Sequence, residues 1–224
     1  MNMEKRFICM GNSYKNGGRC LAGIEIEQNG TSVTIVRNSD GTPKWIRPVM
    51  SNGDHGLPEC LVGSFSVMDI IEVNVSSNSP VGSHSENVHF SSMKKIGKLG
   101  LSESNLLHLC DTKHSVIFFN RGKAVPGEVF ENGDYSLMFI KPENPEIQVQ
   151  YDDYGHEKYR ILFSHNGNQY DFPLTDPDYI NLLQNGLRPC GSRNTGELYF
   201  TLSLGVCFND WHYKLVAGVI DLAA

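Results

Sequence analysis

The residues best equipped for chemistry lie near the start of the chain, in Phe7-Ile8-Cys9-Met10-Gly11-Asn12-Ser13-Tyr14-Lys15-Asn16-Gly17-Gly18-Arg19-Cys20-Leu21-Ala22-Gly23. An apolar run breaks into a polar, glycine-bearing loop with two cations and then resumes. Lys15 and Arg19 bring positive charge, Asn12 and Ser13 bring small polar side chains, and the glycine N–H groups add fixed donors. That combination suits an anion such as a phosphate. The stretch fits neither the P-loop nor the dinucleotide fingerprint, and a surface turn whose glycines serve only φ > 0 is the plainer alternative.

Trp45 and Arg47 form a second constellation. Two residues apart on a strand, they share a face. On an open face an indole, or the ring of Tyr14 beside Lys15, stacks a base while the neighbouring cation grips its phosphate. The alternative is a core tryptophan with Arg47 in an internal ion pair. A buried guanidinium then needs a fixed acceptor, for which Glu25, Glu72 or Asp69 are the candidates. Ser203-Leu204-Gly205 and Lys214 make the matching candidate in the second half, with a solvated lysine as the blander account. The eight histidines show no metal-ligand spacing, no two of the six cysteines sit two to four residues apart, and no nucleophile–base pair stands out, so neither metal nor cofactor is expected.

Composition narrows the partners. The 224 residues carry a net charge of −6, which excludes a broad nucleic-acid-coating surface. The charge is uneven: residues 1–50 hold seven Lys/Arg and four acids, +3, leaving −9 for the remainder. An anion site therefore belongs in the first fifth of the chain. No apolar run approaches the roughly 20 residues of a membrane span, and no signal-peptide pattern is present, so a cytoplasmic protein with six reduced, structural cysteines is expected.

The elements that must position these groups are short β-rich runs separated by turns. Strands are expected at 6–10, 20–28, 31–37, 44–49, 69–75, 114–119, 135–140, 146–151, 158–164, 168–173, 198–204 and 211–221. Asn29-Gly30 and Asn166-Gly167 read as hairpin turns. Residues 51–64, 76–86 and 184–197 read as loops, and Glu103–Cys110 as a short helix capped by Ser102. Asp176 caps another short helix, with Pro177 at its first position. A boundary near 111–113 gives two halves, 1–112 and 113–224, each with five or more strands and one short helix. The fold class expected is mostly β, two small barrels in tandem.

Four segments in order resemble a bacterial family of dual OB domain-containing proteins. They are Asn12-Ser13-Tyr14-Lys15 leading to Gly18-Arg19-Cys20-Leu21-Ala22-Gly23; Trp45-Ile46-Arg47-Pro48; Thr175-Asp176-Pro177; and Ser203-Leu204-Gly205 with Tyr213-Lys214-Leu215-Val216-Ala217. Glu86-Asn87 resembles a Pro-Glu-Asn segment of that family, with Ser85 in place of the proline. The resemblance implies an OB-like barrel in each half and a role inferred as nucleic-acid binding. The leading expectation is thus a binder of single-stranded DNA or RNA, using Asn12, Ser13, Tyr14, Lys15, Arg19, Trp45, Arg47, Ser203 and Lys214. The alternatives are an enzyme acting on a nucleotide or modified base, with Asp176 or Asp69 as acid/base, and a protein-interaction module of a multi-component bacterial system. The oligomeric state is left open.

Overall fold

The computed structural model describes residues 3–15, 17–30, 32–50, 56–78, 84–100, 102–192 and 197–223. The chain divides into two compact units, Met1–Ser102 and Glu103–Ala224. The division falls earlier than the 112/113 boundary expected from sequence. Helix α2 (Glu103–Leu107) goes with the second unit, which buries Leu106 and Leu109 and ties Asp111 N–H to Phe139 O at 2.7 Å.

In the first unit β1 (Met3–Lys15) pairs antiparallel with both β2 (Gly18–Asn29) and β5 (Asp69–Asn78). Further along, β2 pairs with β4 (Trp45–Val49), β4 runs parallel to β6 (Asn87–Lys98), and β6 returns antiparallel to β5. The ring β1-β2-β4-β6-β5 is therefore closed, a five-stranded barrel without free edges among its members. Strand β3 (Ser32–Ile35) extends β2 with Asn29 still paired to Ser32 and Gly30 at φ 63, so the turn begins one residue later than the expected Asn29-Gly30. Phe7, Cys9, Leu21, Ile46, Ile71 and Val73 fill the interior. The one-turn helix α1 (Glu59–Val62) lies inside a stretch expected to be loop. The expected loops at 51–64, 76–86 and 184–197 each fall partly outside the described residues.

Strand β6 was not expected. Its outward positions carry Lys94, Lys95 and Lys98, and its pairing with β5 shifts register three times, which erases the period-two signal.

In the second unit β8 (Leu137–Ile140) leads into β9 (Glu143–Tyr151), followed by β10 (Glu157–His165) and β11 (Asn168–Pro173) through the expected Asn166-Gly167 hairpin. Helix α4 (Pro177–Gln184) follows, with the Asp176 carboxylate accepting from the N–H groups of Asp178 and Tyr179 as expected. The two-residue β12 (Gly191–Ser192) joins β9. The long hairpin β13 (Leu198–Phe208) and β14 (Trp211–Asp221) pairs with β8 on one side and with β7 (Ala124–Pro126) on the other. The strands follow the ring order of the first unit, but β11 meets β14 only through Leu174 and Val216, so this barrel is half closed. Its core is aromatic, with Phe163, Tyr170, Phe172 and Phe200 in mutual ring contact.

The strand expected at 114–119 is absent. Ile117 and Phe118 are buried there, but Phe118 and Phe119 sit at φ 44 and 67, which no strand allows. Helix α3 (Gly127–Glu131), after β7, was also not expected. No disulfide joins the six cysteines; Cys60, Cys190 and Cys207 are exposed rather than packed. Among the described residues no helix is long and apolar enough to cross a membrane.

Candidate functional site

The 12–19 stretch is a hairpin instead of an anion cradle. β1 and β2 keep register to the turn, Tyr14 opposite Arg19 and Lys15 opposite Gly18, which leaves two positions with Gly17 at φ 77. The backbone of Arg19 is committed: its N–H donates to Leu57 O at 2.9 Å, and Leu57 N–H returns to Arg19 O at 2.7 Å. Gly18 is glycine because of this close approach. A Cβ there would stand 2.2 Å from Leu57 O. Gly18→Ala is therefore expected to destabilise the first unit by about 2–3 kcal/mol in urea denaturation. A loss below about 0.5 kcal/mol, the usual surface range, would show that the contact yields freely.

The side chains of the stretch are also engaged. Arg19 is 7% exposed, and its Nε and Nη2 donate to the Glu59 carboxylate at 2.5 and 2.7 Å in a bidentate pair. The Arg19 hydrogen bond holds the Glu59 carboxyl below the usual carboxylate range. Asn12 Nδ2 donates to Val62 O and Phe65 O, pinning the segment after α1, and Ser13 is buried. Tyr14 is exposed, its ring 4.8 Å from the Arg19 guanidinium. Lys15, half-buried at the tip, makes no ion pair among the described residues.

Arg47 and Trp45 do not form an open stacking face. Trp45 is half-buried, and Arg47 is 4% exposed at the parallel β4–β6 seam. Arg47 Nη1 reaches His84 Nδ1 at 2.7 Å, Glu86 Oε1 at 3.3 Å and Asn87 Oδ1 at 3.4 Å. An arginine can only donate, so in this contact His84 Nδ1 is the acceptor. The expected acceptors serve others: Glu25 pairs with Lys5 and Lys44, Glu72 with Arg6 and Lys94, and Asp69 with Lys95.

In the second unit Ser203 is buried, its Oγ donating to Leu204 O at 3.2 Å. Lys214 is the reverse of a solvated lysine. It is 1% exposed, and Nζ donates to Ile117 O, Asn120 O and Asn120 Oδ1 at 2.6, 2.7 and 2.9 Å. The acid/base candidates are similarly employed: Asp176 also accepts from Val219 N–H at 2.9 Å, and Asp69 from Ser66 N–H at 2.9 Å. The polar residues that carry the family resemblance are thus largely internal locks of the two units.

Tyr14, Tyr151 and Tyr154 are exposed aromatic rings elsewhere, and three more gather on the β13–β14 hairpin. Phe208, Trp211 and Tyr213 are 63%, 44% and 48% exposed. Asn209 and Asp210, at φ 49 and 64, form its two-residue turn, and Phe208 stands opposite Trp211. Trp211 and Tyr213 face outward while His212 and Lys214 face inward. The alternation was legible as a period of two, but the ordinary assumption of aromatics in and lysine out inverts it. Tyr213 stands opposite Ala124 on β7, and the preceding residues carry Arg121 and Lys123. Lys123 contacts Asp171 at 2.7 Å, whereas Arg121 makes no ion pair among the described residues. Both cations line a cleft of about 430 Å³ with residues of β9, β10 and β11, among them Asn144, Glu146, Gln169 and Asp171.

A family model described as a dual OB-containing domain matches residues 5–219. A murine DNA-binding protein solved with double-stranded DNA is 10% identical, with 99% of each chain covered and a TM-score of 0.30. The single-stranded DNA-binding protein from Thermus aquaticus is 9% identical, with 98% of this chain and 93% of that chain covered and a TM-score of 0.22. Likenesses at those scores carry no argument about this chain. Comparison with curated proteins gives no match.

Proposed function

The chain belongs to the dual OB-containing domain family, and on that premise we propose that it is a tandem of two OB-like barrels that binds single-stranded nucleic acid along the β13–β14 hairpin of the second unit. Phe208, Trp211 and Tyr213 stack bases. The observation that carries this reading is the exposure of three aromatic rings on one hairpin. Base–aromatic stacking is worth roughly 1–3 kcal/mol per base and tolerates any sequence. Tyr14 and Lys15, at the tip of the β1–β2 hairpin, offer a smaller site of the same kind in the first unit. Arg19 and Arg47 take no part, because each already answers a carboxylate of its own unit.

Electrostatics limit the footprint. Glu103–Ala224 holds nine Lys/Arg against sixteen Asp/Glu, a net −7. With stacking as the main contact, affinity falls only shallowly with salt. Titrating a short oligothymidylate at low salt, followed by tryptophan fluorescence, tests this. Trp211→Ala and Tyr213→Ala are each expected to weaken binding about tenfold, and Arg19→Ala to leave affinity unchanged. No binding at low salt, or binding indifferent to both aromatic substitutions, removes the proposal.

A further inference from the structure

The ring of strands in the second unit stops short of closure. β11 reaches β14 at Leu174, in a parallel bridge to Val216, with Thr175 N–H donating to Val216 O at 2.9 Å. In the first unit the equivalent parallel seam, β4 with β6, runs through three residue pairs. Here the edge of β14 that would continue the seam is occupied by β7, opposite Trp211 to Tyr213.

The ladder shows which groups this leaves open. Leu174 N–H donates to Tyr159 O, so the hydrogen-bonded pairs of β10 and β11 include Ile161 with Phe172 and Phe163 with Tyr170. Gln169 and Asp171, between them, turn their N–H and C=O groups away from β10. Asp171 O accepts from Arg160 Nη2 at 2.8 Å. The N–H groups of Gln169 and Asp171 and the carbonyl of Gln169 have no partner among the described residues, and both residues line the cleft.

We propose that this edge is a peptide-addition site, and that an extended, uncharged polypeptide segment pairs with β11 as an extra strand in the cleft. The two outward N–H donors and the free Gln169 carbonyl, on residues about 6.7 Å apart, match the acceptors and donors of another polypeptide backbone, whereas a phosphodiester backbone has no donor for that carbonyl. Charge fixes the class of segment. Arg121 and Lys123 are balanced by Glu146 and Asp171 in the lining, so the cleft favours neither acid nor base. An unpaired edge of this kind is ordinarily covered, charged or bulged, and here it is set back in a cleft.

The probe is an acetylated, amidated hexapeptide of alternating threonine and valine, with copies N-methylated at odd or at even positions, titrated into the full chain. One methylated series is expected to lose at least about tenfold in affinity and the other to keep it, since one edge of the peptide faces β11. Gln169→Pro removes an outward N–H without touching the β10 ladder and is expected to lose about as much. The methylated pair reads out on the unaltered protein, so it decides the matter even if Gln169→Pro disturbs folding. Absence of binding at millimolar peptide, equal loss in both series, or displacement of the peptide by oligothymidylate overturns the proposal, the last by assigning the cleft to nucleic acid.

Discussion

Lys214→Met is expected to destabilise the second unit by about 3–5 kcal/mol. The methionine fits the volume but strands three acceptors, Ile117 O, Asn120 O and Asn120 Oδ1, each of which loses a donor inside the protein. The segment they hold is the one with Phe118 and Phe119 at positive φ, so the lysine also fixes backbone that would relax elsewhere. The effect depends on pH. Three oxygens match the three ammonium donors, but burial pushes the Lys214 amine down to about 7 from its ordinary 10.5. Between those values the unfolded chain keeps the proton that the folded chain releases. Wild-type stability due to this group therefore rises with pH across the window and is lost as pH falls through about 7. The gap between wild type and Lys214→Met widens from pH 7 to pH 9, by at most about 1.4 kcal/mol per pH unit. Denaturation of both proteins at several pH values checks this; a gap that narrows over that range contradicts it.

Glu86→Gln is expected to destabilise the first unit by about 3–5 kcal/mol, because it removes the carboxylate charge that faces the buried Arg47 guanidinium at 3.3 Å. The seam it guards is the parallel β4–β6 pairing that closes the barrel, where Arg47 N–H also donates to Glu86 O at 2.8 Å. Glu59→Gln, at the outwardly similar Arg19 pair, is expected to cost far less. The Glu59 side chain is 61% exposed, and water can replace part of what it gives. A denaturant series on the two variants separates the cases. Equal costs would mean that burial of the acid is not what sets the value of the pair.

Several features could be read without coordinates. The Asn-Gly hairpin at 166–167 and the Asp176 cap with Pro177 follow from local backbone preference, which needs only neighbouring residues, and the turn near Gly30 was found to within one residue. The strands that alternate cleanly, such as β10 and β11, were placed to within a residue or so. Strand β6 was not, since its outward lysines and register shifts hide the pattern, and the run at 114–119 reads as a strand because burial without pairing looks the same in sequence.

The binding site was the least legible part. A sequence shows that Arg19, Arg47 and Lys214 are cations; it does not show that Glu59, Glu86 and the carbonyls near Ile117 lie within reach. Those partners are 40, 39 and 97 residues away along the chain, and only chain closure brings them together. The family segments and the order of strands were thus set locally, by turn chemistry and periodicity. Which way each polar side chain points, inward to a lock or outward to a ligand, was decided by how the barrels close. That is a property of long-range pairing, and it leaves no mark on the residues themselves.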